Sequence, residues 1–237
     1  MSNRVISVVQ LKPGSGKTTL ATSLAGELSR WQRVALIDCH PLSRRAATWG
    51  ARRQNEVYSD RLLVQAASTA SALLERVYRV RDEVEYVVLD GSSDPKMTKA
   101  MAAIAHLCLV PVAPTDDADE QCAGTLALLR EARQLKRFRV RGVTIGQVER
   151  RYREPAQLRA VKVVSTVLCE RRAYADALEH GRTAAEYGHP IARDELHGLA
   201  MEVADLLRHP AFGAPKSDVF AATITQMPLG PRSMLRL

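Results

Sequence analysis

Two lysines, two glycines and two adjacent threonines fall within eight residues, Lys12-Pro13-Gly14-Ser15-Gly16-Lys17-Thr18-Thr19. Small residues let the backbone curl until successive N–H groups aim at one anion. An ammonium at Lys17 then reaches β- and γ-phosphates, and a hydroxyl at Thr18 suits a magnesium ion. Gly14, Ser15, Gly16 and Thr19 complete the expected contacts with the nucleotide. Two acids extend this chemistry. Asp38 closes the apolar run Val34-Ala35-Leu36-Ile37, and Asp90 closes Tyr86-Val87-Val88-Leu89. A carboxylate at the end of a buried strand can hold the metal or its water shell, and Asp38 can also face the attacking water. ATP and Mg²⁺ are the cofactors this set expects.

These groups work only if strands and helices deliver them to one place. Val5 to Val9 precede the loop as an apolar strand, and Leu20, Leu24 and Leu28 follow at helical spacing. Strand patterns are read near 4–10, 33–38, 61–66, 85–90, 106–112, 139–147 and 162–168. Helical patterns are read near 17–30, 68–81, 96–104, 116–136, 153–160, 171–180 and 193–208. Such alternation, with continuous Val/Ile/Leu strands, predicts an α/β fold: a single-domain P-loop NTPase with a mostly parallel twisted sheet and helices on both faces. Ligands then sit at the carboxyl ends of the strands, where the loop, Asp38 and Asp90 all fall. One domain is expected over 1–208. From 209 to 237 a Pro- and Gly-containing tail is expected to be loosely ordered.

The loop departs from G-x-x-x-x-G-K-[ST]. The first glycine would fall at Leu11, and a lysine stands five residues before Lys17 instead. This arrangement resembles the deviant Walker A motif, K-G-G-x-G-K-[ST]-[ST], of the ParA/MinD family of ATPases. Asp38-Cys39-His40-Pro41 with Thr48-Trp49 resembles that family's D-x-D-P-Q segment. Asp90-Gly91-Ser92-Ser93 looks most like the small, ParF-like plasmid-partition branch. The strand ending Pro111-Val112-Ala113-Pro114, followed by Asp116, Asp117 and Asp119, is similar to the family's dimer-face region. Glu170-Arg171-Arg172-Ala173-Tyr174 resembles its late R-x-A-[FY] segment. The likeness runs from about residue 4 to about residue 208.

The resemblance implies an ATPase that dimerises on ATP, with Lys12 reaching the nucleotide of the second subunit. It further implies non-specific DNA binding and a ParB-like or cargo-adaptor partner that triggers hydrolysis. Two departures qualify it. Pro13 replaces a glycine and has no N–H to donate. His40 replaces the second acid, the residue linked to hydrolysis. A neutral imidazole offers one acceptor and a protonated one none, so turnover at a catalytic set of Lys12, Lys17, Asp38 and His40 is expected to be slow and partner-stimulated.

Composition narrows the class further. The chain has 237 residues, 46% of them hydrophobic and 5% aromatic, with a net charge of +8. Between residues 130 and 172 thirteen Lys/Arg face four Glu, a net +9, which exceeds the charge of the whole chain. Such a block is the footprint of a polyanion-binding surface, and Arg150, Arg151, Arg153, Arg171 and Arg172 are the DNA-binding candidates. The four cysteines are widely spaced, so neither a metal nor an iron–sulfur cluster is expected. No leader and no ~20-residue apolar run is present, and Pro228 and Pro231 oppose a terminal amphipathic helix. A cytoplasmic, nucleoid-associated protein is expected, with membrane binding of the MinD kind as the runner-up. With three residues ahead of Arg4, no separate DNA-reading domain is expected. Plasmid or chromosome partition leads. Positioning of carboxysomes or chemoreceptor clusters, help in DNA transfer, and a non-hydrolysing ATP-gated DNA scaffold remain open.

Overall fold

The computed structural model describes residues 3–53, 61–147 and 158–208. Seven strands form one parallel sheet: β1 (Arg4–Val8), β2 (Val34–Asp38), β3 (Leu62–Ala66), β4 (Tyr86–Asp90), β5 (Leu107–Val112), β6 (Arg139–Gln147) and β7 (Val163–Glu170). Their order across the sheet is β3-β2-β4-β1-β5-β6-β7. Between them run α1 (Lys17–Leu28), α2 (Arg45–Arg53), α3 (Ala70–Val80), α4 (Pro95–Ile104), α5 (Ala118–Leu135), α6 (Arg172–Glu179) and α7 (Pro190–Arg208). This sheet lies within one compact unit, Met1–Leu207. The 209–237 tail, and all but the first residue of a second unit at Arg208–Leu237, lie outside the described residues.

Period-2 alternation along buried strands builds a core on each face. Val5, Ile37, Val87, Leu89 and Val110 meet α3, α4 and α5 through Val77, Met101 and Leu129. Ile6, Val8, Leu36, Val88 and Leu109 meet α1, α2 and α7 through Leu24, Trp49, Leu199 and Val203. Both faces are therefore covered, as the apolar strands require. Along β7, the main-chain N–H groups of Ser165 and Thr166 donate to Glu202 of α7, each at 2.9 Å, and that of Cys169 donates to Glu195 at 3.2 Å.

Strand positions follow the sequence reading within a few residues. The helices differ in two places. Helix α2 is absent from the sequence reading because its buried face is not aliphatic: Ala46, Trp49, Gly50 and Arg53 make it. The helix expected over 153–160 is not found at 158–160, which run as irregular chain; its remainder lies outside the described residues.

Helix α2 is anchored by unusual means. The Trp49 indole N–H donates to the Arg182 carbonyl at 3.0 Å. The Arg53 guanidinium lies over the Trp49 ring at 5.1 Å and grips both Glu186 oxygens at 2.6 and 2.5 Å. Burial opposes the Glu186 charge, yet the Arg53 hydrogen bond and charge hold its carboxyl below the usual range. Arg53→Ala therefore strands a largely buried carboxylate and is expected to destabilise the fold by about 3 kcal/mol in urea unfolding. Unchanged stability would mean the pair carries no net energy.

Candidate functional site

Parallel register delivers the chemistry to one level. Val8, the last residue of β1, stands opposite Asp90 of β4, and Asp90 stands opposite Asp38 of β2. The phosphate loop leaves β1 at this level, where successive connections depart to opposite sides of β1. Gly14 and Gly16 take the left-handed backbone, φ 71° and 84°, which a side chain at either would strain. A Cβ at Gly16 would also come within 3.0 Å of the Ile145 methyl. Gly16 caps α1, so the helix N-terminus opens directly from the loop.

Lys17 is buried, with its Nζ folded back onto oxygens: the Lys12 carbonyl at 3.0 Å, Ser15 Oγ at 3.4 Å and Ser93 Oγ at 3.5 Å. These partners hold the ammonium where phosphate oxygens would be bound. Burial lowers its pKa, and the charge of Asp90 opposes that shift. The loop entry is fastened to α5. Gln10 accepts from Thr125 Oγ1 and from the Lys12 amide, donates to the Pro111 carbonyl, and the Leu11 amide donates to Thr125. Sequence reasoning passed over Gln10; a polar amide at the end of an apolar strand was its signal.

The two acids differ sharply. Asp38 is buried and both its oxygens are engaged, one by the His40 amide at 2.9 Å and the other by the Ala47 amide at 3.0 Å. It organises the turn that leads into α2, with lone pairs left for water. Asp90 is 1% exposed and its Oδ1 has no hydrogen-bond partner among the described residues. Burial first, then the adjacent Asp38 charge, pushes its pKa up to about 7; the Thr18 hydroxyl and the charges of Lys17 and Arg45 pull the other way. An unsatisfied carboxylate oxygen beside a hydroxyl and a second carboxylate is the hard oxygen set that suits Mg²⁺. Thr18, Asp38 and Asp90 thus fit the metal.

Lys12 stands exposed at the rim, with its Nζ on Gln121 Oε1 at 2.8 Å. His40, the expected member of the catalytic set after Asp38, sits in the turn before α2. Its Nδ1 accepts from the Leu42 amide at 3.3 Å and the Ser43 amide at 3.1 Å. Those two contacts favour the tautomer that leaves Nε2 as the donor. Its place is in holding a turn.

The basic block is not one surface. Arg139 and Arg141 sit at the amino end of β6, whereas Arg171 and Arg172 follow the carboxyl end of β7, at opposite ends of a parallel sheet. Arg172 is 91% exposed. Arg171 instead turns inward, its side chain 10% exposed and paired with Glu195, so it offers no free charge to a polyanion. Arg150, Arg151 and Arg153 lie outside the described residues.

A cavity of about 380 Å³ runs from Gly14–Gly16 past Ile145 to Tyr174 and Leu178. Polar loop residues, Glu170 and Arg171 share its wall with apolar Ile145, Leu168, Tyr174 and Leu178, a mixed lining that suits a ligand with a charged tail and a planar group. Arg45, which sequence reasoning missed, also lines it. Among the described residues no His/Cys/Asp/Glu cluster of metal-binding size occurs and no helix is long and apolar enough to cross a membrane.

With this geometry in place, known proteins give a consistent comparison. Residues 6–184 match the family model described as the CobQ/CobB/MinD/ParA nucleotide binding domain. The chain is 32% identical over 223 residues to the chromosome-partitioning ATPase Soj of Thermus thermophilus, covering 78% of this chain and 88% of that one. It is 23% identical over 210 residues to the maintenance of carboxysome distribution protein A of Halothiobacillus neapolitanus, covering 84% and 95%. In fold it is similar to the septum site-determining protein MinD of Pyrococcus horikoshii, solved with Mg-ADP, at a TM-score of 0.66 and 15% identity over 86% of this chain and 97% of that one.

Proposed function

Because this chain belongs to the family of the CobQ/CobB/MinD/ParA nucleotide binding domain, a family of P-loop ATPases, we propose that it binds ATP with magnesium, pairs with a second copy on that nucleotide, and holds DNA non-specifically while a partner protein controls release. The observation that carries the reading is the level register of loop, Asp90 and Asp38, with Lys17 buried among them and Lys12 left exposed at the rim.

Each part has a stated task. The left-handed loop directs main-chain N–H groups at the phosphates, and Lys17 exchanges its carbonyl and hydroxyl partners for phosphate oxygens. Thr18 and Asp90 would hold Mg²⁺, with Asp38 close by for its water shell, and the ion would supply neutralisation of phosphate charge there. Lys12 leaves Gln121 for the phosphates of the opposite copy. Charge crowding between two facing triphosphates is what makes that ammonium useful. No proton acceptor at His40 supports slow hydrolysis, stimulated by a ParB-like or cargo-adaptor protein. The likeness to the Soj partition ATPase supports a plasmid or chromosome cargo; the likeness to the carboxysome distribution protein supports a protein cargo as the second reading.

Light scattering with and without ATP and Mg²⁺, followed by DNA binding across a salt series, tests this. A monomer that becomes a dimer, and holds DNA only in that state, is expected. Neutralising Arg150, Arg151 and Arg153 together is expected to weaken binding and flatten the log K against log salt slope by about 0.9 for each lost phosphate contact. A lone subunit at saturating ATP and Mg²⁺ overturns the pairing, and an unchanged slope moves the DNA surface elsewhere.

A further inference from the structure

We infer that Arg45 is a γ-phosphate sensor, a cation supplied from the turn after β2 that lets the site distinguish ATP from ADP. This rests on the nucleotide reading above and assigns a residue outside the phosphate-loop motif. Four observations converge on it. Arg45 is one of the residues lining the cavity whose wall also takes in Gly14, Ser15 and Gly16 of the phosphate loop. It is exposed, and among the described residues its guanidinium makes no hydrogen bond or ion pair. Of the nearby acids, Asp38 spends an oxygen each on the His40 and Ala47 amides, Asp90 is buried, and Glu170, exposed, lines the same cavity without pairing with Arg45. The charge of Arg45 is nonetheless felt at Asp90, on the level where the metal would be held.

A constrained backbone position stands immediately before Arg45. Arg44, immediately before it, takes the left-handed region at φ 43°, the one positive φ outside glycine among the described residues. That conformation disfavours a branched or bulky side chain, and α2 starts directly after it with Arg45. Lys12 and Lys17 already answer part of the triphosphate charge. A planar guanidinium adds a bidentate grip on a terminal phosphate that an ammonium cannot. Where a carboxylate is lacking at position 40, the loop between β2 and α2 therefore contributes stabilisation of charge rather than proton acceptance. A cation at the end of the phosphate tail responds to the terminal group, present in ATP and absent from ADP, whereas the main-chain donors of the loop serve both.

The test is the ratio of ADP to ATP dissociation constants with Mg²⁺, read by displacement of a fluorescent nucleotide and independent of turnover. Arg45→Ala is expected to weaken ATP at least ~10-fold while ADP changes less than about 2-fold. Arg45→Lys, which keeps the charge without the fork, is expected to fall between, and it serves if the alanine variant is poorly folded. Arg44→Gly removes the neighbouring charge with a residue suited to that backbone and is expected to leave the ratio unchanged. Equal losses for both nucleotides, no loss, or a matching shift in Arg44→Gly overturns the assignment. A wild-type chain that binds neither nucleotide defeats the nucleotide reading itself, a result distinct from any of these.

Discussion

Lys17→Ala is expected to abolish measurable ATP binding, a loss of at least ~100-fold. In the structure the Lys17 ammonium is buried and satisfied only by neutral oxygens of Lys12, Ser15 and Ser93. Exchange of those partners for phosphate oxygens gains charge-assisted hydrogen bonds worth about 1.5–3 kcal/mol each, and two of them give the stated factor. The alanine variant loses that gain and leaves Asp90 facing the phosphates without a compensating charge. Titration calorimetry with ATP and Mg²⁺ reads this directly. Wild-type affinity in Lys17→Ala would place the phosphates somewhere other than this loop.

Asp90→Asn is expected to stabilise the nucleotide-free protein while removing its response to magnesium. Asp90 is buried beside Asp38 with one oxygen unsatisfied, and its pKa is pushed up to about 7, against 3.8 for the free side chain. The folded state thus holds a proton that the unfolded chain releases between about pH 4 and about pH 7. Stability contributed by this group falls as pH rises through that window and levels off above it. At pH 8 the penalty for the buried charge is on the order of 4 kcal/mol, several degrees in melting temperature for a chain of this size. Melting curves of the two proteins without nucleotide or metal should converge near pH 4 and separate towards pH 8. Mg²⁺ with ATP should raise the melting temperature of the wild type alone. A gap independent of pH would show that Asp90 is charged in the folded state throughout.

The sheet was legible in the sequence because its strands are continuous apolar runs with few competing patterns, and Val34–Asp38 and Tyr86–Asp90 needed no tertiary knowledge to place. Helix α2 was not legible. Its inward face is closed by an indole and by an arginine neutralised through Glu186, 133 residues away in sequence. The phosphate loop was fully legible, since glycine spacing encodes backbone conformation directly. Side-chain direction was not. Arg171 and Arg172 are neighbours in a run of like charge, yet the first is drawn in by Glu195 and the second is left in solvent. His40 sat at the expected position, but its ring nitrogen is taken by two amides of its own turn, a contact that depends on local backbone geometry. Arg45 lacked any motif, and its place on the cavity wall, just after the left-handed turn at Arg44, is a matter of tertiary geometry.

Glu202 and Glu195, which accept the Ser165, Thr166 and Cys169 amides along β7, have an effect that reaches past this one molecule. An open strand margin is a template on which further chains can add, and natural sheets that leave one unguarded are prone to fibrous growth. Here two glutamates have already taken that template's donors. Copies crowded side by side are thereby hindered from adding strand by strand along β7.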